Sequence, residues 1–466
     1  MQSPLFQQAI RHPTRIAVEG DQECWSYHHL ACKVAALLQQ LQQLPLPPQS
    51  RIGWIANHPL HGLLLQQACL HGRWVFCAIS PHFRAEQRRQ AIDTFQLTIL
   101  VDDLSTPTAA TKLRTIALDF SATAKHFDIL DITLDPKQWV DMVLTSGSSG
   151  APKAVIHSWQ NLYYSALGSN KLIPLTSDDN WLASLPLFHV GGQALIWRCL
   201  LAGARLTFSQ LALEPTLNNH AITHLSLVPT QLYRLLPSAD FHSQQLALRH
   251  ILIGGGSCNE ARLLQTQQRG FQCYMSYGSS EMSSQIATRI VGQGQGAGKL
   301  LDYRELKLEN GEICLRGQTL SPGYFQSGIL IAITDPQGWY HSHDIGHYAG
   351  GNLIVHGRID NMFICGGENI QPEEIETILL NHPDILTATV VAQNDQEYGA
   401  RPVAFIQQIK NNNHYDLDCY LKSYLSAFKR PVRYYQLPQQ ASLKVQRKLL
   451  QQWANRPTDY SIVEIE

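Results

Sequence analysis

Short β-branched, apolar runs alternate with amphipathic stretches over the first hundred residues. "RIGWIAN" (51–57) precedes a helical "PLHGLLLQQACLHG" (59–72), "WVFCAIS" (74–80) precedes "AEQRRQAIDTF" (85–95), and "LTILVDD" (97–103) follows. The strand signature returns in "HLSLVP" (224–229), "RHILIGGG" (249–256) and "FQCYMSYG" (271–278). Strands spaced by helix-length stretches are joined by crossovers, and crossovers build parallel sheets flanked by helices. The chain is therefore expected to be α/β.

The pattern changes twice. Around 312–360, "GEICLRG" and "GWYHSHDIGHYAGGNLIVHGRID" read as short strands with turns, a small β-rich layer. From about 361 a new unit begins, with helical "QPEEIETILLNH" and strand-like "TATVVAQ" and "RPVAFIQQ". A chain of 466 residues exceeds what one core fills. The expected division is a large unit of parallel α/β sheets plus the β layer (1–360) and a small α+β unit (361–466). "LPLPP" (44–48) is a rigid turn inside the first unit.

Composition excludes several classes. Thirty-six Lys and Arg balance 37 Asp and Glu, without a basic run, so no nucleic-acid partner is expected. The N-terminal stretch lacks the charged start and apolar core of a secretory leader. The most apolar stretch, 181–208, carries His189, Gln193, Arg198 and several glycines, which argues against stable membrane insertion. Ten scattered cysteines form no C-x-x-C pair and read as thiols in a reducing cytoplasm. A homo-oligomer is compatible with all of this.

Three small-residue loops each follow an expected strand: Thr145–Gly150, Gly254–Ser257 and Tyr277–Glu281. In open α/β sheets ligands sit beyond the carboxyl ends of strands. Glycine lets the backbone approach a ligand, and successive N–H groups with Ser/Thr hydroxyls cradle an anion. A tight turn alone accounts for "GGGS" better than a ligand loop does, and for "YGSSE" the two readings are about even. It does not account for "TSGSSGAPK" (145–153), where hydroxyls are dense and a proline positions one lysine, Lys153. The nucleotide P-loop is excluded, because that pattern ends in Gly-Lys-Ser/Thr.

In this order and spacing the three loops resemble the adenylate-forming enzymes: acyl- and aryl-CoA ligases, luciferases and nonribosomal adenylation domains. The resemblance covers almost the whole chain. It implies ATP, Mg²⁺ and CoA as cofactor and co-substrates. Thr145, Ser146, Gly147, Ser148, Ser149, Gly150 and Lys153 would grip the β- and γ-phosphates. Gly254, Gly255 and Gly256 would line the adenine pocket. Tyr277 would stack on adenine, with Gly278 beside nucleotide and acid, Ser280 on the α-phosphate, and Glu281 with Thr145 on Mg²⁺. Asp344, in "HSHDIG" where the family has Thr-Gly-Asp, and Arg358 would hold the ribose. Asp360 would be the hinge of a mobile C-terminal lid, and Gly366 and Gly367 would line the thiol tunnel. His341 and His343 flank Asp344, but two histidines at i, i+2 are more often ordinary residues than metal ligands.

The family's essential C-terminal lysine matches Lys444 in "LPQQASLKVQRKLLQQW" (437–453), with Arg447 in register. Leu443 replaces the family glycine, and Lys448 competes at an offset of four. A mobile cation is needed physically: a carboxylate attacking a phosphate brings negative charge onto negative charge. No side-chain nucleophile is required.

His189, in "PLFH" (186–189), would abut the incoming carboxylate. Two arginines, Arg198 and Arg234, sit in the otherwise apolar "GGQALIWRCLLAGARL" (191–206) and "LVPTQLYRLL" (227–236). Buried arginine is costly unless paired, so an anion is expected nearby. It could be a protein carboxylate for either one; the sharper expectation is the second carboxylate of an aromatic dicarboxylic acid, gripped in two-pronged fashion. The competing readings are another aryl- or medium-chain acyl-CoA ligase, an adenylation enzyme loading a carrier protein, and a nucleotide binder with a decayed site.

Overall fold

The structure, a computed structural model, describes residues 1–55, 58–102, 113–127, 133–146, 152–408, 417–438, 447–456 and 464–465. Two large sheets dominate the N-terminal part. One has described strands in the order Lys299–Leu300, Ser284–Ile290, Gln272–Ser279, His250–Ile253, His224–Leu227, Asn180–Leu182, Arg205–Thr207, Ile16–Glu19, Cys24–Ser26. Its middle strands are parallel, as the alternation requires. The other runs Ile329–Ile331, Gly323–Gln326, Pro152–Ser158, Trp139–Ser146, Val75–Ile79, Arg51–Ile55, Ile99–Asp102, Thr115–Ile116.

The helices Tyr27–Gln42, Pro59–Gly72, Trp159–Leu172 and Val190–Ala202 feed one continuous core with residues of both sheets, including Trp54, Phe76, Trp159, Trp181, Trp197 and Tyr274. Trp159 and Trp197 meet edge-on at 5.1 Å between ring centres. Helices buried on nearly every side explain why 190–202 is apolar all round. Among the described residues no helix is long and apolar enough to cross a membrane. None of the ten cysteines is disulfide-bonded.

The β-rich layer is a four-stranded antiparallel sheet, Arg304–Glu309, Glu312–Gly317, Tyr340–Ala349 and Asn352–Arg358. Beyond it the small C-terminal part has its own core, Ile370, Ile375, Leu379, Val390, Ala404 and Leu421 among others. It pairs the strands Ile385–Asp395 and Gly399–Gln408 beside the helix Pro372–Asn381. Among the described residues it is tied to the N-terminal part by hydrogen bonds, including Gln371 Nε2 to Arg358 O at 3.1 Å, and by Leu386 packed against the N-terminal core. Asn259 caps the helix Glu260–Gln268 through its side-chain oxygen and donates its amide to the Leu380 carbonyl. Arg262 Nη2 donates to the Pro383 carbonyl at 3.0 Å.

Two of the small-residue loops follow their strands as expected, but within hairpins. The 145–153 loop does not lead from a strand directly into a helix. It closes a hairpin between the antiparallel strands Trp139–Ser146 and Pro152–Ser158, with Thr145 opposite Lys153, and the helix follows. Tyr277–Glu281 likewise opens a hairpin, because Gln272–Ser279 pairs antiparallel with Ser284–Ile290.

Candidate active site

The described residues of the three loops converge on one region. Gly254 N donates to Leu227 O at 3.1 Å, and a first side-chain carbon at Gly254 would stand 2.8 Å from Ser276 Oγ. Gly255 has φ +81°, which glycine adopts without strain. The "GGG" loop thus lies against the strand that delivers Tyr277. At Gly278 a first side-chain carbon would fall 2.0 Å from the Ser284 carbonyl oxygen, so only glycine lets the hairpin close there.

The next turn is anchored at three carbonyls. Ser280 O accepts from Ser283 N at 3.0 Å and faces His157 Nε2 at 2.7 Å. Glu281 O accepts from Ser321 N at 2.7 Å, and Ser283 O accepts from Ser165 Oγ at 2.6 Å. The Glu281 carboxylate stays partly exposed and accepts from the Tyr324 hydroxyl at 2.9 Å. Lys153 Nζ lies 4.9 Å from the centre of the same Tyr324 ring, a cation–π distance. Tyr324 therefore joins the lysine of the first loop to the carboxylate of the third.

A second cluster stands beside it. The Tyr277 hydroxyl donates to Asp344 Oδ2, and Arg358 Nη1 reaches Asp344 Oδ1 at 3.1 Å and, through Nη2, Asp360 Oδ2 at 3.2 Å. Burial holds the Asp344 carboxyl above its ordinary value, against the pull of Tyr277 and Arg358. Burial, then the Asp344 charge, pushes the Tyr277 hydroxyl well up. His343 has φ +61°, and the ladder slips one register at Ile345/Gly346. This is where the family carries glycine, so the departure puts a β-carbon into a left-handed backbone position.

Arg198 is 2 % exposed, in the helix Val190–Ala202. Its Nη2 donates to Ser284 Oγ at 3.2 Å, its guanidinium lies 5.6 Å from the Trp181 ring centre, and its Nε is buried without a hydrogen-bond partner. Among the described residues no carboxylate lies within 4.0 Å of it, and burial lowers it to about 10. Ser284 ends the hairpin that carries Ser280 and Glu281, so one turn links this cation to the nucleotide loops. Arg234 is the correction: it is exposed on the short helix Pro229–Leu235 and is no buried cation. His189 stands at the N-cap of the Arg198 helix, its ring 4.8 Å from that of Phe188.

Gly366 (φ +58°) and Gly367 (φ +90°) form the tip of the Phe363–Cys365/Glu368–Ile370 hairpin. Gly147, Ser148, Ser149, Gly150, Leu443 and Lys444 lie outside the described residues, as does the side chain of Ser146. Arg447, the first residue of the helix Arg447–Asn455, is held by Glu376. Of the two histidines flanking Asp344, His341 has metal-type neighbours: Glu309, Cys314 and His341 offer ligand atoms within 4.8 Å of one another. Lys307 Nζ already sits 2.7 Å from Glu309 and supplies the positive charge there. Sequence reasoning missed Tyr324, His157 and Asp141, whose partners are far along the chain.

The donor set suits the expected groups. Glu281 and the Thr145 hydroxyl offer hard oxygen ligands of the kind Mg²⁺ takes, and Lys153 beside them suits phosphate.

Comparison with known proteins gives the family. Residues 5–325 match the AMP-binding enzyme family and 374–444 the AMP-binding enzyme C-terminal domain. The chain belongs to the AMP-binding enzymes. It is similar to 2-succinylbenzoate–CoA ligase of Escherichia coli K12, 37 % identical over 72 % of this chain and 74 % of that one. It is also similar to the Haemophilus influenzae 2-succinylbenzoate–CoA ligase, 33 % identical over 93 % of both. Among solved structures, an E. coli MenE variant with bound OSB-AMS superimposes with a TM-score of 0.87 at 31 % identity, covering 98 % of both chains. Bacillus subtilis MenE with ATP and magnesium ion gives 0.84 at 27 % identity, covering 97 % of this chain and 99 % of that one.

Proposed function

We propose that this chain is an ATP-dependent acid–thiol ligase. It activates 2-succinylbenzoate as an acyl-adenylate and passes the acyl group to CoA, giving 2-succinylbenzoyl-CoA, AMP and diphosphate, a cytoplasmic step of menaquinone (vitamin K2) biosynthesis. One observation carries the choice of acid: Arg198 is buried, lacks a carboxylate partner among the described residues, and bonds to the hairpin that bears Ser280 and Glu281. A dry guanidinium there favours an acid with a second carboxylate. The named relatives and the ligands of the solved neighbours support the same reading.

In this reading the succinyl carboxylate comes in past His189 and attacks the α-phosphorus of ATP, and diphosphate leaves. Lys153 and the hydroxyls of 145–149 hold the leaving group, and Ser280 holds the α-phosphate. Tyr277 and the Gly254–Gly256 loop wall the adenine, with Asp344 and Arg358 on the ribose. Glu281 and Thr145 would hold Mg²⁺, which would neutralise phosphate charge. Lys444 bridges the carboxylate and phosphate oxygens in the first half-reaction. Asp360 is the hinge between 1–360 and 361–466. Rotation there withdraws Lys444 and brings Gly366 and Gly367 to the site, so that the CoA thiol attacks the activated carbonyl.

The test is a panel of carboxylic acids incubated with the enzyme, Mg²⁺ and ATP, with and without CoA. 2-Succinylbenzoate should give the adenylate, then the thioester. Lys444→Ala should slow adenylation roughly 10²–10³-fold and spare thioester formation from supplied acyl-adenylate. Release of ADP, or preference for a monocarboxylic acid, contradicts the reading.

A further inference from the structure

His157 and Asp141 are directly opposed on the antiparallel strands Pro152–Ser158 and Trp139–Ser146, and both side chains are 0 % exposed. His157 Nδ1 meets Asp141 Oδ1 at 2.6 Å, and Nε2 meets the Ser280 carbonyl oxygen at 2.7 Å. A carbonyl only accepts, so Nε2–H donates to Ser280, and the carboxylate fixes the ring's orientation from the other side. The chain of buried polar groups continues. Gln66 Nε2 lies 3.5 Å from Asp141 Oδ2 and 3.4 Å from Gln193 Oε1, and Gln193 Nε2 donates to Leu187 O at 2.8 Å. It therefore runs from the turn bearing Ser280 and Glu281 to the loop bearing His189.

A buried ionisable pair is expensive to keep and is poor evidence of stability in itself. Here it holds one backbone carbonyl, across 123 residues of sequence, at the turn that the proposed function sets against the nucleotide. The other anchors of that turn come from Ser283, Ser321 and Ser165, hydroxyl or backbone donors on neighbouring segments. Among the described residues, the His157 contact is the anchor that comes from the hairpin that also carries Lys153. It ties the strand that carries Lys153 to the turn that carries Glu281.

Resting on the function proposed above, we infer that His157, oriented by Asp141, is a positioning residue that sets the Ser280–Glu281 turn against the Lys153 hairpin, so that metal-bound triphosphate meets both at once. His157 touches no substrate itself.

The test is calorimetric binding of Mg·ATP and of adenosine to the full chain. His157→Leu should weaken Mg·ATP roughly tenfold, the scale of one buried hydrogen bond to a preorganised group. It should leave adenosine affinity unchanged, because adenosine carries no phosphate for Ser280 or Lys153 to hold. His157→Gln keeps an N–H for the Ser280 carbonyl and should recover most of the loss. Wild-type Mg·ATP affinity in His157→Leu overturns the inference. So does an equal loss for Mg·ATP and adenosine, which marks a general packing role. Should His157→Leu not fold, His157→Gln and Asp141→Asn are judged by the same comparison. If the wild type binds Mg·ATP but adenylates no acid, the proposed function fails while the binding data still decide the role of His157.

Discussion

Arg447 grips Glu376 with two prongs: Nη1 to Oε1 at 2.6 Å and Nη2 to Oε2 at 3.0 Å. The same guanidinium donates to the Val390 carbonyl, and Glu376 accepts from Val390 N at 2.7 Å. This pair fixes the start of the helix Arg447–Asn455, three residues past Lys444. Arg447→Ala leaves a buried carboxylate unpaired and should cost about 3 kcal/mol, read from denaturant midpoints. Adenylation should fall more than thioester formation, because the proposed function gives the lysine three residues upstream a part in the first half-reaction alone. Equal losses in the two half-reactions would separate Arg447 from the lysine's placement.

Arg198 and Arg234 should part company. Arg198→Ala should raise KM for an aromatic diacid roughly 10–100-fold, the range for hydrogen bonds to a charged group. It should change KM for benzoate far less. Arg198→Lys keeps the charge without the planar fork and should fall between. Arg234→Ala, on the surface, should leave both constants alone. Steady-state kinetics on the two acids decides the matter; an unselective Arg198→Ala removes the basis for a second carboxylate.

His343 is 55 % exposed and holds φ +61°. Its side chain gains one loose contact, Nδ1 to Glu312 Oε1 at 3.7 Å. His343→Gly should therefore stabilise the fold by up to about 1 kcal/mol, seen as a higher thermal midpoint. A lower midpoint would mean that the Glu312 contact outweighs the backbone strain.

His224 gives a pH signature. Burial, then the His250 ring stacked at 4.5 Å, lowers it to about 4, against the pull of Asp179 at 3.8 Å; Arg249 adds to the lowering. Its Nε2 faces the Pro174 carbonyl at 2.8 Å, which suits the neutral ring. The unfolded chain binds this proton near 6.5 and the folded chain only near 4. Stability thus falls as pH drops through that window, on the order of 3 kcal/mol in all. Denaturant midpoints between pH 7 and 4 should show a shallower slope in His224→Gln than in the wild type.

What the sequence revealed depended on how local each feature is. Alternation exposed the parallel strands because each β-α step is contiguous. The hairpin at 145–153 was hidden because a strand returning antiparallel has the same composition as one running into a helix. The loop residues could be read because each cradle is a short run. Tyr324 and His157 could not, since Tyr324 meets Glu281 across 43 positions and His157 meets Ser280 across 123. Arg198 and Arg234 look alike in sequence. Arg198 belongs to a helix enclosed between two sheets, whereas Arg234 points outward between the buried Tyr233 and Leu235 of a short one.

Asn259 and Arg262 hold the C-terminal part by donating to two carbonyls, those of Leu380 and Pro383. Such donors and acceptors exchange readily with water, whereas the neighbouring apolar contact of Leu386 carries an exposure cost on parting. In the lid motion proposed above, solvent takes over each vacated polar partner, Leu386 leaves its contact with the N-terminal core, and Asn259 still caps its own helix after its amide has let go of Leu380.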